Sequence, residues 1–168
     1  MSPLDNGNRW STLSVTLFAL GCLALMSGRS PAWALVNESP SLPRGLYVRI
    51  SGAPARGATV ATPPPASARP YLASLGASDD QLLLKRVAAV SGDRVCRKGD
   101  HVETPMGRVI VSRADRNGVG LSFWRGCRRL EPHEVFLLGD TPNSFDSRYF
   151  GPVDRSLIRG VYREAASW

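Results

Sequence analysis

From residue 40 onward the chain shows no sustained apolar period of 3.6 residues; short apolar runs alternate instead with turn residues, which leaves little room for anything but strands. The 16 glycines and 13 prolines do most of this cutting. Gly45 to Ile50 (GLYVRI) alternates in part and carries β-branched residues, so it reads as a strand. Residues 51–65 read as turn, short strand, turn, with Pro63 to Pro65 forbidding a regular ladder. A short helix is expected from about Pro70 to Leu75, ended by Gly76. From Gln81 to Phe123, apolar runs separated by Gly92-Asp93, Lys98-Gly99-Asp100 and Asn117-Gly118 predict a strand meander. Val135 to Leu138 predicts a buried strand followed by a long polar loop, and Ser156 to Glu164 one more strand. Val36 to Pro43 reads as a polar, proline-punctuated entry. The fold class these runs imply is mainly β, in one domain over residues 36–168.

Ahead of that body lies an uncharged stretch, Trp10 to Gly28, about as long as the ~17–25 residues that cross a bilayer. Trp10 and Trp33 bracket it at the depth where interfacial aromatics sit. This predicts a short cytoplasmic tail, residues 1–9, and one N-terminal transmembrane helix, residues 10–28. A cleaved secretory signal is the competing reading, because Ala32-Trp33-Ala34 has the small-x-small form of a cleavage site. Either way the body is sent out of the cytoplasm. Arg9 and Arg29 flank the stretch symmetrically and do not decide its orientation.

The formal net charge of +7 admits nucleic acid, an anionic membrane or an acidic partner. The arginines are scattered, no basic run interleaves with aromatics, and no nucleic-acid-binding motif is present, so no nucleic acid is expected. A basic face towards the inner membrane agrees better with the N-terminus. Of the three cysteines, Cys22 lies in the apolar stretch, which leaves Cys96 and Cys127 as an even pair in the body. An oxidising compartment would let them bridge; two buried free thiols are the alternative. Neither His101 nor His133 has metal-ligand spacing to a cysteine, so no metal site is expected.

Three islands could carry chemistry. The first is Ser39-Pro40-Ser41-Leu42-Pro43, where prolines could hold a hydroxyl on a constrained corner, or where serine is only a turn residue. The second is Lys85, after three leucines and before Arg86-Val87-Ala88-Ala89; it and Lys98 are the only lysines among 21 basic residues. A lysine there either snorkels out or is desolvated, and desolvation lowers its pKa towards that of a usable base. The third, Ser144 to Arg148, gathers Ser144, Asp146, Ser147 and Arg148 just after a buried strand, as a functional loop or as a satisfied structural network. The two histidines sit in no catalytic motif and no G-x-S-x-G elbow exists, so a serine nucleophile here would need another base, and Lys85 is the candidate.

In order and spacing, NESPSLPRGLY, KRVAAVSGD and SFDSRYFGPV resemble the nucleophile, lysine and last boxes of the type I signal peptidases, most closely the TraF-type peptidases of conjugative plasmid transfer. The resemblance covers nearly the whole chain to Pro152. It implies a signal-peptidase/LexA-like β-fold catalytic domain on the periplasmic side of the inner membrane. It implies Ser41 as nucleophile and Lys85 as general base. Ser39 would help form the oxyanion hole, Ser144 would orient the lysine amine, and Asp146 would organise the site through Arg86 or Arg148. The implied substrate is a membrane-inserted pro-protein such as a pilin precursor, with hydrolysis or cyclisation resolving an acyl-enzyme, and no cofactor.

Ser-Leu-Pro here is one residue shorter than the Ser-Met-x-Pro of general signal peptidases, which keeps Ser39 as a rival nucleophile. Two other readings compete. One is a non-catalytic assembly factor that uses its basic face. The other is a self-cleaving LexA-type protease, disfavoured because the chain carries an apolar segment where such proteins carry a DNA-binding domain.

Overall fold

The computed structural model describes residues 31–78 and 80–168. The expected tail (1–9) and membrane span (10–28) lie outside the described residues, among which no helix is long and apolar enough to cross a membrane. Chain contacts separate Met1–Ala32 from Trp33–Trp168, and every element below belongs to the latter.

The elements run β1 (Ala34–Asn37), β2 (Gly45–Ile50), β3 (Thr59–Thr62), α1 (Arg69–Ser74), β4 (Leu83–Ala89), β5 (Arg94–Lys98), β6 (His101–Thr104), β7 (Gly107–Ile110), β8 (Cys127–Arg129), β9 (Glu134–Leu138), α2 (Ser147–Phe150), β10 (Val153–Asp154), a 3-10 turn (Arg155–Leu157) and β11 (Gly160–Ser167). One sheet has seven strands in the order β1-β2-β11-β3-β4-β9-β10, and the other four in the order β7-β6-β5-β8. Every ladder is antiparallel. The mainly β class expected from the turn spacing is what forms.

β4 is a central strand: five of the seven residues of LLKRVAA are apolar, both faces are buried, and only Arg86 is not fully buried. β9 shows how the sheet serves two cores. Val135 and Leu137 enter a cluster with Val60, Val87, Val153 and Val161, whereas Phe136 and Leu138 enter one with Val95, Val102, Val111 and Leu130. Strand alternation puts successive side chains on opposite faces, so one strand can wall two clusters. A third cluster joins Leu42 and Tyr47 to Ala61, Leu84 and Tyr162, and ties the chain just after β1 to the sheet. The β4–β9 ladder shifts register between Val87 and Ala89, a bulge of the kind that bends a strand.

Cys96 and Cys127 face each other across β5 and β8 and form a disulfide. The helix expected near Pro70 is α1, and Gly76, at φ 82°, follows it in the left-handed region. Four stretches differ from the sequence reading. Ala34–Asn37 is a strand where Val36 was expected to begin a polar entry, because those residues pair with Gly45–Val48 of β2. The loop after β9 holds a one-turn helix, α2, capped by the Asp146 carboxylate, which accepts from the Arg148 backbone N–H. A single turn is too short to show a period. Residues 155–157 form a 3-10 turn, so the last strand begins at Gly160. Most of 111–126 is irregular instead of meander; there the Asp115 carboxylate accepts from the Asn117 and Val119 N–H groups and closes a loop on itself.

Candidate active site

β1 ends at Asn37, and the chain then turns through Ser39 and Ser41 before entering β2. Asn37 is buried, and its side chain holds this turn. The amide nitrogen donates to the carbonyls of Ser39 (3.0 Å), Leu42 (3.1 Å) and Pro43 (3.0 Å), while the amide oxygen accepts from the Ser39 hydroxyl (3.0 Å) and backbone N–H (3.3 Å). Tyr47 on β2 donates its hydroxyl to the Pro43 carbonyl at 2.9 Å. From the other side, the Asp140 N–H donates to the Ser41 carbonyl at 2.6 Å. Ser41 therefore sits on a loop fixed by side chains before and after it, and by the end of β9.

Lys85, the third residue of β4, is 3% exposed, and its Nζ donates to Ser41 Oγ at 2.7 Å. Burial pushes its pKa down from 10.5 to about 8; the Asp146 carboxylate opposes that shift, Arg148 adds to it, and Asp140 opposes it. Ser41 Oγ also lies 2.8 Å from Ser39 Oγ. The lysine amine is bonded to Ser41, whereas Ser39 is exposed and shared between Asn37 and Ser41.

Behind the pair, Asp146 and Arg148 are buried to 0% and 1% exposure. The guanidinium forks onto the carboxylate with two bonds of 2.8 Å. Its other N–H groups reach the carbonyls of Ile110, Pro142, Gly139 and Thr141. Asp146 also accepts the Gly139 N–H at 2.8 Å, and Ser147 Oγ accepts the Leu137 N–H at 3.0 Å. A buried ion pair with its remaining donors satisfied is the tolerable kind, and this one welds the loop after β9 to both β9 and β7. Arg86, expected as a possible partner of Asp146, instead forks onto Asp140 at 2.9 and 2.7 Å.

Ser144 is buried beside the site, but its hydroxyl has no hydrogen-bond partner; the expected bond to the lysine amine is not formed. It packs instead on Gly139. A Cβ there would come within 2.6 Å of Ser144 Cβ and 2.8 Å of the Ser41 carbonyl oxygen, so only glycine fits. The histidines lie elsewhere, His101 against Asp100 and Glu103 and His133 near Glu131. Among the described residues no cluster of three His, Cys, Asp or Glu could hold a metal ion.

Sequence reasoning named Ser39, Ser41, Lys85, Ser144, Asp146 and Arg148, which the fold gathers around one point, together with Arg86 at its edge. It missed Asn37, Tyr47 and Gly139. Asn37 had a signal, since asparagine before a proline-rich turn commonly bridges backbone groups, but its partners are visible only once the turn is closed.

Ser41 opens onto a cleft of about 550 Å³ whose walls include Leu35 and Val36 of β1, Leu82 to Leu84 at the start of β4, Leu72 of α1 and Phe145. The seven-stranded sheet thus sets a hydroxyl against a buried amine at this cleft, the kind of pair that acyl transfer uses, the chemistry to which serine peptidases belong. Residues 9–166 match the family described as signal peptidase, peptidase S26; the chain belongs to that family and is a serine peptidase acting on protein. It is 33% identical over 169 residues to the plasmid transfer protein TraF of Escherichia coli, covering 92% of this chain and 94% of that one. It is 34% identical over 170 residues to the conjugal transfer protein TraF of Agrobacterium tumefaciens, covering 93% and 95%. A solved signal peptidase I from Enterococcus faecalis is 25% identical, with a TM-score of 0.41, over 67% of this chain and 98% of that one.

Proposed function

We propose that the chain is a membrane-anchored endopeptidase that cleaves a membrane-inserted pro-protein with Ser41 as nucleophile and Lys85 as base. The observation that carries this reading is the 2.7 Å contact between a buried lysine amine of lowered pKa and the Ser41 hydroxyl. Neutral Lys85 takes the Ser41 proton, Ser41 Oγ bonds to the scissile carbonyl carbon, and the oxyanion rests on the Ser39 hydroxyl and the Ser41 backbone N–H. The protonated amine then gives its proton to the leaving nitrogen as the peptide bond breaks. Water, or a substrate amine, attacks the acyl-enzyme and restores Ser41; an amine of the same chain would give a cyclised product.

The cleft suits an extended substrate. β1 is the edge strand of its sheet, and β4 pairs with β9 only from Arg86 onward, so β1 and the start of β4 offer unpaired backbone near Ser41. The likeness to plasmid and conjugal transfer proteins supports a pilin precursor of a conjugative system as the substrate. The apolar stretch 10–28 would anchor the chain in the inner membrane, with residues 36–168 on the periplasmic side, where a disulfide is at home. Co-expression of a candidate pilin precursor with wild type, Ser41→Ala, Ser39→Ala and Lys85→Ala, read by precursor mass, tests this. Loss of processing in Ser41→Ala and Lys85→Ala with slowed processing in Ser39→Ala is expected. Processing by folded Ser41→Ala would pass the nucleophile's role to Ser39, and an intact precursor with wild type would mean that the substrate is another protein or that the chain acts as a binding factor.

A further inference from the structure

A second cavity, of about 380 Å³, adjoins the first. Pro40, the residue before Ser41, lines it, and Phe145 lines both. Helix α1 also serves both spaces: Leu72 faces the cleft, while Tyr71, with Leu75 just beyond the helix, faces the second cavity. The remaining apolar wall is Ala114, Leu121 and Tyr149, and polar residues of the 112–117 loop, with Asn143, form its rim. The three rings form a continuous surface, with centroids 4.5 Å apart between Tyr71 and Phe145 and 5.3 Å between Phe145 and Tyr149.

The wall is held in shape. The Tyr71 hydroxyl donates to Asp115 at 3.1 Å, and the Tyr149 hydroxyl accepts the Ser112 N–H at 3.2 Å. Both tyrosine hydroxyls therefore point into structural bonds, which leaves ring carbon to face the space. Leu75 stays 54% exposed beside it, an apolar surface open to solvent. An aromatic-walled cavity that begins at the residue before the nucleophile is placed to receive substrate.

We infer that this cavity is the leaving-side subsite of the peptidase and takes a large apolar or aromatic side chain from the segment that follows the scissile bond. The inference rests on the assignment of Ser41 as nucleophile. The two spaces share Phe145, and Pro40 of the second cavity directly precedes Ser41 of the first, so a chain crossing Ser41 passes from one to the other. The half that stays as the acyl-enzyme needs lasting contacts, which the unpaired strand edges of the first cleft provide. The half that leaves needs a separate pocket from which it can depart. The second cavity is walled by side chains of a short helix and loops, and no strand edge lines it. Large aromatic walls favour a bulky apolar side chain over glycine or a charge through the surface it removes from water.

The experiment uses the full chain in detergent against a mixed-sequence peptide library, with the products sequenced by mass spectrometry so that residues on each side of every cut are counted. Wild type, Ser41→Ala, Tyr71→Ala and the cavity-filling Leu121→Trp are compared. Cuts absent from Ser41→Ala, with large apolar residues enriched roughly tenfold on the leaving side, are expected. Tyr71→Ala and Leu121→Trp should flatten that enrichment and leave the acyl-side preference unchanged. Ser41-dependent cuts with no leaving-side preference, or variants that shift the acyl-side preference instead, overturn the subsite and leave the nucleophile standing. Cuts that persist in Ser41→Ala, or no cuts by wild type, remove the nucleophile assignment and the subsite with it.

Discussion

The side-chain amide of Asn37 donates to the Leu42 carbonyl, 3.1 Å away, and so closes the loop that presents Ser41 between them. With its bonds to Ser39 and Pro43, one buried side chain fixes both flanks of the hydroxyl. Asn37→Ala would take this donor from the buried Leu42 carbonyl, a cost of about 1–3 kcal/mol. Misplacing the nucleophile by an ångström would lower turnover by roughly a hundredfold. Asn37→Asp should be no better, because a carboxylate would face three carbonyl oxygens. Thermal unfolding and kcat on a peptide substrate check the two effects separately. An Asn37→Ala enzyme of unchanged kcat would show that the prolines alone hold the loop.

The lysine sets the pH profile. With Lys85 at about 8, the neutral amine is the active form, so kcat/KM should rise about tenfold per pH unit below 8 and level off above it. Stability follows the same proton. Between about 8 and the ordinary 10.5, the unfolded chain holds a proton that the folded chain has released, so stability rises with pH across that window. Below it the fold carries a charged buried amine at a cost of about 3 kcal/mol. Lys85→Met should therefore be inactive yet more stable than wild type at pH 7, and the stability difference should vanish as pH approaches 10.5. Urea unfolding of both proteins from pH 6 to 10.5 measures it. A constant difference would mean the amine is not desolvated.

How much of this was legible in the sequence depended on the range of the interaction. β2, β3 and β9 announce themselves because strand alternation and turn residues are local. Lys85 stood out because a lysine among leucines must either escape or be desolvated, and its burial resolves that choice. The Asp146–Arg148 pair was visible as a cluster, but its wiring was not. Arg86 and Arg148 are equally plausible partners in one dimension, and only the antiparallel pairing of β4 with β9 brings Arg86 to Asp140 instead. β1 was hidden for the same reason, since Ala34–Asn37 is a strand only because β2 returns beside it. Gly139 resembles any glycine after a strand until Ser144 and the Ser41 carbonyl crowd its missing side chain.

That crowding gives a second mutational test. Gly139→Ala would drive a methyl into Ser144 and the Ser41 carbonyl, and overpacking of this kind costs about 1–3 kcal/mol. Because the displaced atoms belong to the nucleophile's own peptide, activity should fall further than stability. Adding Ser144→Gly to Gly139→Ala should return part of the stability. Ser144→Ala alone removes a buried hydroxyl with no partner, so it should be neutral or slightly stabilising by thermal unfolding. If it lowers kcat all the same, the hydroxyl turns to the lysine amine during turnover.

The disulfide lies in the four-stranded sheet and none of its atoms contributes to the Ser41 site. Its sequence separation of 31 gives about 3–4 kcal/mol on the chain-entropy account. A Cys96→Ser, Cys127→Ser double variant should lose about that much in urea unfolding and retain kcat at 25 °C. A large loss of activity at full folding would mean the sheet transmits more to the site, through the Ile110 carbonyl that Arg148 holds, than the geometry suggests.

Asp146 offers the sharpest separation of structure from catalysis, because its charge acts on two partners at once. It pairs with Arg148 in the interior, and it raises the pKa of Lys85 against the effect of burial. Asp146→Asn would strand the guanidinium without a counter-charge, costing about 3–5 kcal/mol. It would also release Lys85 to a lower pKa, so the rising limb of kcat/KM should move to lower pH. Arg148→Met should be destabilising as well but should move the limb the other way, since Arg148 lowers the lysine pKa. The double variant, Asp146→Asn with Arg148→Met, should recover much of the stability and bring the limb back towards wild type. Opposite displacements in the single variants would show electrostatic tuning of the base. If both single variants lose stability and neither limb moves, Asp146 and Arg148 are a structural weld and nothing more.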